Sequence, residues 1–161
     1  MEGDGNGWAV GPGGVRVWGR FGAAGLMLLA GSGEQRQVLL QHRAQWTNQG
    51  GTWALPGGAR DSHETTIEAA LREAVEETSL EPSLVEVLHA EVTAGPSPGA
   101  KWTYTTVIAR TVTGKPLRVT PNEESLELRW VPLRALDELP LMPAFASALP
   151  GLLQVIHRLS P

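Results

Sequence analysis

Short apolar runs separated by glycine, proline and polar clusters make up most of this chain, while two longer stretches carry apolar residues at helical spacing. "GWAV" and "VRVWGR" flank the turn-forming quartet "GPGG" and predict a β-hairpin within residues 1–21. "AAGLMLLAG" and "RQVLLQHRA", joined through "SGEQ", predict two strands paired as neighbours, and further strands are expected at Leu84–Thr93, Trp102–Thr113 and Glu127–Pro132. One helix follows "TWALPGG" and another occupies the region around Pro143–Leu159, with loops at "AGPSPGAK" and "VTPNEES". Without an internal repeat, a charge block or a low-complexity linker, this mixture implies an α/β sandwich.

The first helix is unusual in its polar positions. Six acidic residues fall between Asp61 and Glu77. Thr65 and Glu68 have the spacing of a capping box, which gives Glu68 a local task at the helix start. With about 100° per residue, Glu76 lies about 60° to one side of Glu73 and Glu77 about 40° to the other, so the three share a face. Ile67, Leu71, Ala74 and Thr78 gather on another face and are the expected core contacts. Glutamates spaced in this way repel one another by a few tenths of a kcal/mol per exposed pair. One reading is a solvated face on which Arg72 relieves the charge by pairing with Glu68 and Glu76. The other is a platform for a hard divalent cation, which takes carboxylate, water and phosphate oxygens together. The neighbouring Pro56-Gly57-Gly58, read as a tight turn allowing close approach of a ligand, and the extra carboxylate of Glu64 favour the second.

Composition bounds what such a platform serves. The chain has 161 residues, 42% of them hydrophobic, enough for one core and one domain spanning 1–161. Thirteen basic against seventeen acidic residues give a net charge of -4, which argues against a surface built for a nucleic acid polymer and leaves a small phosphorylated ligand at a local site. The absence of cysteine excludes disulfides, thiolate zinc sites and a cysteine nucleophile. "MEGDGNG" lacks the cationic start of a secretory signal, and the apolar run Ala23–Ala30 is too short to cross a bilayer, so no membrane association and a cytoplasmic location are expected.

The stretch from Gly58 to Leu80 resembles the Nudix hydrolase signature, G-x5-E-x7-R-E-U-x-E-E-x-G-U with U aliphatic, through Gly58, Glu64, Arg72, Glu73, Ala74, Glu76, Glu77 and Leu80. Two positions depart from it: Ala74 is smaller than the usual aliphatic, and Ser79 replaces a glycine just past the helix, where a left-handed conformation is often required. "VLLQHRA", "GTWALPGG" and "LELRWVPLRAL" extend the likeness over most of the chain; residues 1–21 are a less diagnostic extension. The resemblance implies the Nudix fold, an α/β/α sandwich with a mixed β-sheet between helices. It also implies hydrolysis of a nucleoside diphosphate linked to another group, with Mg2+ or Mn2+ required. By position in the motif, Glu73, Glu76 and Glu77 are expected to hold metal, with Glu64 as a further ligand directly or through water, and Arg72 to steer a glutamate. The general base varies in this family: Glu76, Glu77, Glu124 and Glu127 are candidates, with Glu124 placed ahead of Glu127 because a loop carboxylate can swing toward the metals.

Substrate recognition is less strongly marked. Trp102 follows a Gly/Pro loop, where an indole can stack on a nucleobase, whereas Trp53 and Trp130 are expected in the core. Arg43, Arg60 and Lys101 are candidate phosphate partners, Gly57 and Gly58 candidate backbone contacts, and His63 a loop residue. The chain resembles MutT-type members, especially actinobacterial ones with "WALPGGARDSHET" and "WTYTT" segments. It implies a small nucleotide substrate, with 8-oxo-dGTP converted to monophosphate and pyrophosphate as the lead. ADP-ribose is the alternative, because Pro96 lies about sixteen residues past the signature; a sensor that has lost hydrolysis is a third reading, against which the retained carboxylates speak. Apolar segments such as "FGAAGLMLLA" suit either a monomer core or a homodimer interface.

Overall fold

A computed structural model describes residues 3–47 and 49–159. The first two residues of the hairpin extension and the last two of the expected domain lie outside them. The strands are β1 (Trp8–Val10), β2 (Arg16–Trp18), β3 (Ala23–Ala30), β4 (Gln37–Arg43), β5 (Trp53–Ala54), β6 (Gly57–Ala59), β7 (Val85–Ala94), β8 (Tyr104–Thr111) and β9 (Ser125–Pro132). Two α-helices accompany them, α1 (Thr66–Thr78) and α2 (Pro143–Leu159). Among the described residues the main sheet is mixed: β3 lies parallel to β8 and antiparallel to β4 and β6, and β7 closes the edge beyond β8.

The sheet is apolar on both faces because a helix covers each. Along β3, Ala24, Leu26 and Leu28 join the cluster that packs against Ala69, Ala70 and Ala74 of α1, while the alternate residues Met27 and Leu29 join Phe145, Leu152 and Ile156 of α2. Leu39 against Val38 and Leu40, and Val107 and Ala109 against Ile108, repeat the alternation on β4 and β8. All of β3 is buried, so "AAGLMLLA" is core. The fold is therefore the α/β/α sandwich expected from the sequence.

The expected pairing of β3 with β4 is confined to one end, at Leu29↔Val38 and Ala30↔Gln37. Beyond it the strands separate. The short strands from "TWALPGGA" take the freed ends, β5 pairing with Gln41 and His42 of β4, and β6 with Ala23–Gly25 of β3. Pro56-Gly57-Gly58 thus leads into a strand, not the tight turn expected. Glycine is required at 57 by close packing, since a Cβ there would stand 2.4 Å from the Ala24 carbonyl oxygen; one on Gly58 would stand 2.6 Å from the Glu73 carboxyl carbon and displace that side chain.

Helix α1 opens with the full capping box: Glu68 N–H donates to the Thr65 hydroxyl at 3.1 Å and Thr65 N–H to the Glu68 carboxylate at 2.9 Å. It closes on Ser79 with φ 57°, the left-handed cap that the signature fills with glycine. Its buried face is made of Ala69, Ala70, Ala74 and Thr78, small residues that let the helix lie close on β3; Ile67, expected in the core, is 36% exposed. The hairpin β1–β2 is a separate two-stranded sheet tied to the loop before α1. Gly5 N–H donates to Asp61 Oδ1 at 2.9 Å, Ser62 N–H to Asp4 Oδ1 at 2.8 Å, and the Ser62 hydroxyl to the same carboxylate.

Candidate active site

Where β3 and β4 part, a cleft of about 1000 Å³ opens, bounded by the hairpin, the loop after β4, β6, α1, Tyr104 and the Asn122–Glu124 loop. Helix α1 turns Glu73, Glu76 and Glu77 toward it. Glu77 is only 2% exposed, and both of its oxygens are held: Oε1 accepts from Gly57 N–H at 2.9 Å and Oε2 from Gln41 Nε2 at 2.6 Å. The expected separation of carboxylate face from core face is thus incomplete, since Glu77 sits at their border and is buried with the core.

Burial without enough positive charge shows in the acidities. Loss of solvent, followed by the repulsion of Glu73, pushes Glu77 up to about 8 despite its hydrogen bonds. Burial likewise pushes Glu73 up to about 7, against the pull of Arg72 and with the repulsion of Glu76 and Glu124. Glu124, also on the cleft, is raised by burial and partly relieved by Arg43. Desolvated carboxylates of this kind are a donor set suited to a hard divalent cation. Among the described residues no three acidic or histidine side chains close around one point; their oxygens are engaged by Arg72, Gln41 and the Gly57 backbone.

Arg72 is the hub. Its Nε and Nη2 donate to the two oxygens of Glu64 at 2.7 and 2.9 Å, Nη1 donates to Glu73 at 3.0 Å and to Glu76 at 3.3 Å, and Nη2 also reaches the Ala59 carbonyl at 3.0 Å. The paired contact with Glu64 uses the planar fork of the guanidinium. It leaves Glu64 with both oxygens on Arg72, one of them also accepting from Asp61 N–H at 2.9 Å, and Glu64 is absent from the cleft wall. In this arrangement Glu64 is a strut for Arg72. Arg72 does not pair with Glu68, whose carboxylate is taken by the helix cap.

The other candidates divide. Arg43, Gly57, Gly58, Trp102 and Glu124 all line the cleft. Arg60 does not: it donates to the carbonyls of Phe21, Asp61 and Glu64, clasping the loop. Lys101 is exposed and off the cleft, and Glu127 is paired with Arg129 at 2.9 Å on β9, whereas Glu124 of that segment lines the cleft beside Glu123. Pro96 is exposed and off the cleft. Trp53 is buried and Trp130 half-buried with its N–H on the Leu117 carbonyl, both packing residues as expected. His63 is an exposed loop residue.

Three features were not anticipated. Gln41, 1% exposed, donates to both Glu77 and the Ser125 hydroxyl, the latter at 2.8 Å; the only sequence signal was a polar residue closing the apolar run "VLL". Tyr104 lies beside the carboxylates, its hydroxyl held above its ordinary pKa by burial and by Glu77, in space that a Cβ on Gly25 would fill. The tryptophans of the hairpin, Trp8 and Trp18, also face the cleft.

The chain matches the NUDIX domain family model over residues 19–152. It is 51% identical over 151 residues to the Mycobacterium tuberculosis protein named "Putative 8-oxo-dGTP diphosphatase 3", covering 92% of this chain and 69% of that one. It is 40% identical over 141 residues, 84% of this chain and 28% of the other, to a Bifidobacterium longum nucleoside triphosphate pyrophosphatase/Nudix hydrolase fusion protein. The crystal structure of the Nudix hydrolase RenU from M. smegmatis superposes with a TM-score of 0.87 at 49% identity, covering 96% of each chain.

Proposed function

We propose that this chain, which belongs to the Nudix hydrolase family and hydrolyses phosphoric anhydride bonds of nucleotides, is a MutT-type sanitising enzyme. Its lead substrate is 8-oxo-dGTP, cleaved by water to monophosphate and pyrophosphate. The observation that carries the reading is the acidic face of α1, with buried Glu77, partly buried Glu73 and exposed Glu76 on one cleft and Arg72 among them. The similarity to a protein named for 8-oxo-dGTP supports the choice of base.

Glu73, Glu76 and Glu77 would hold Mg2+ or Mn2+, which when bound neutralises phosphate oxygens and acidifies water. Gln41 and the Gly57 N–H fix the orientation of Glu77, and the strut Glu64 fixes that of Arg72, which in turn holds Glu73 and Glu76. Arg43 supplies positive charge for phosphate at the cleft. Glu124, half-buried and raised in pKa, would take the proton of the attacking water. Trp102 offers a surface for the base. We assign the whole of residues 1–161 to one domain and place its work in the cytoplasm, where free nucleotides are; no described helix is long and apolar enough to cross a membrane.

ADP-ribose has less support, because Pro96, the residue that suggested it, stands away from the cleft. The test is turnover of 8-oxo-dGTP, dGTP and ADP-ribose under Mg2+ with the products identified. Monophosphate and pyrophosphate from 8-oxo-dGTP at the highest kcat/KM is the expected result; no cleavage of that triphosphate rejects it as substrate.

A further inference from the structure

The hairpin β1–β2 turns its two tryptophans outward. Trp8 and Trp18 are register partners and share a face of the ribbon; they are 49% and 43% exposed, whereas Ala9 and Val17, on the opposite face, are partly buried. Core packing would give the reverse arrangement. A two-stranded ribbon is marginal by itself, yet this one is held in place by the bonds of Asp4 and Gly5 to Ser62 and Asp61, beside Arg72, and by Arg20 N–H on the Gly5 carbonyl at 2.8 Å.

Its indoles are also fixed. The two rings meet edge to face with centroids 5.2 Å apart, the Arg16 guanidinium lies 4.6 Å over the Trp8 ring, and Trp102 Nε1 donates to the Trp18 carbonyl at 3.3 Å. All three tryptophans line the cleft that contains Glu73, Glu76 and Glu77. Rigid, half-exposed aromatic surface in a concavity continuous with phosphate chemistry suits a flat heterocycle. A second copy of the chain would have to reach into that concavity.

We infer that Trp8 and Trp18 form, with Trp102, the wall that takes the nucleobase, so that a hairpin outside the matched family region sets affinity for the base. The inference rests on the nucleotide reading above and extends it to residues preceding position 19. Trp8 and Trp18 are binding residues with no part in the bond cleavage.

The experiment is equilibrium binding of 8-oxo-dGMP and dGMP without divalent cation, alongside steady-state kinetics with 8-oxo-dGTP, for wild type, Trp8→Ala, Trp18→Ala and Trp8→Phe. Circular dichroism and gel filtration report on each variant's fold and assembly. Both alanine variants should bind the monophosphates roughly tenfold more weakly and raise KM similarly with kcat nearly unchanged, and Trp8→Phe should recover most of the loss. Folded alanine variants that bind the monophosphates as wild type does overturn the inference, as does a wild type that binds neither. A dimer that dissociates on Trp8→Ala with nucleotide binding intact also overturns it and assigns the face to a second copy. A wild type that binds the monophosphates through Trp8 but cleaves no triphosphate refutes the proposed reaction and leaves the wall standing.

Discussion

The β6–α1 unit and the β1–β2 hairpin bound the same cleft by opposite means. The first buries charge: Glu77 is almost without solvent, and its oxygens, with those of Glu64 and Glu73, are held by short bonds to Gln41, Gly57 and Arg72. The second exposes apolar surface and is held by a few bonds at its root. Buried like charge is unfavourable in the folded chain and becomes useful when a cation shares it, whereas exposed indole area becomes useful when a base covers it. Chemistry should therefore depend on one region and recognition on the other.

The largest expected effect separates the two. Glu77→Gln keeps the shape and removes the charge, and turnover should fall on the order of 1000-fold with the fold intact, since several kcal/mol of charge stabilisation at phosphorus depends on that site. Near-normal kcat in this variant would mean that the metal face is wrongly assigned. Next, Gln41→Ala removes the donor that orients Glu77 without touching the cleft wall. A loss of about 10- to 100-fold in Mg2+ affinity is expected, measured from the Mg2+ dependence of turnover; an unchanged Mg2+ dependence would make Gln41 mere packing.

The pH dependence of stability sharpens the contrast. Glu73 and Glu77 have folded pKa values of about 7 and 8, above the ordinary carboxylate value of 4.5. The folded chain therefore binds more protons than the unfolded one between those limits, and the stability they contribute is full below about 4.5 and is lost as pH rises through about 7 to 8. The Tm of metal-free protein should fall from pH 5.5 to pH 8.5 by thermal melts, roughly by several degrees, and Glu77→Gln should flatten the fall. A Tm that rises across this range in wild type contradicts the burial. The smallest effect lies at the helix end, where Ser79→Gly should stabilise by about 1 kcal/mol by relieving the left-handed serine. A less stable glycine variant in urea would contradict that cap.

How much was legible followed from the range of the forces involved. Helix α1, its capping box at Thr65 and its left-handed Ser79 are local, and the sequence shows them directly. The wheel gave the angle of Glu77 but not its depth, because depth depends on β4 and β6 packing against it. β6 reads as a turn in the sequence because a three-residue strand rich in glycine looks like one until its long-range partner is known. The separation of β3 from β4, which opens the cleft, is likewise a matter of non-local pairing. Arg60 and Lys101 lie off the cleft for another reason: a cation's type carries no information about which way it faces, and Arg60 turns to backbone carbonyls. The hairpin was visible from its turn, but its docking through Asp4 and Gly5 was not.

The central claim is that the acidic face of α1 is a divalent cation site. Titration of Mn2+ into wild type and Glu77→Gln, followed by calorimetry at pH 7, tests it without recourse to turnover. Wild type should bind with release of protons, because Glu73 and Glu77 are partly protonated there and must ionise to bind, and the variant should bind far more weakly. Equal binding by both proteins, or no binding by wild type at saturating Mn2+, would contradict the account.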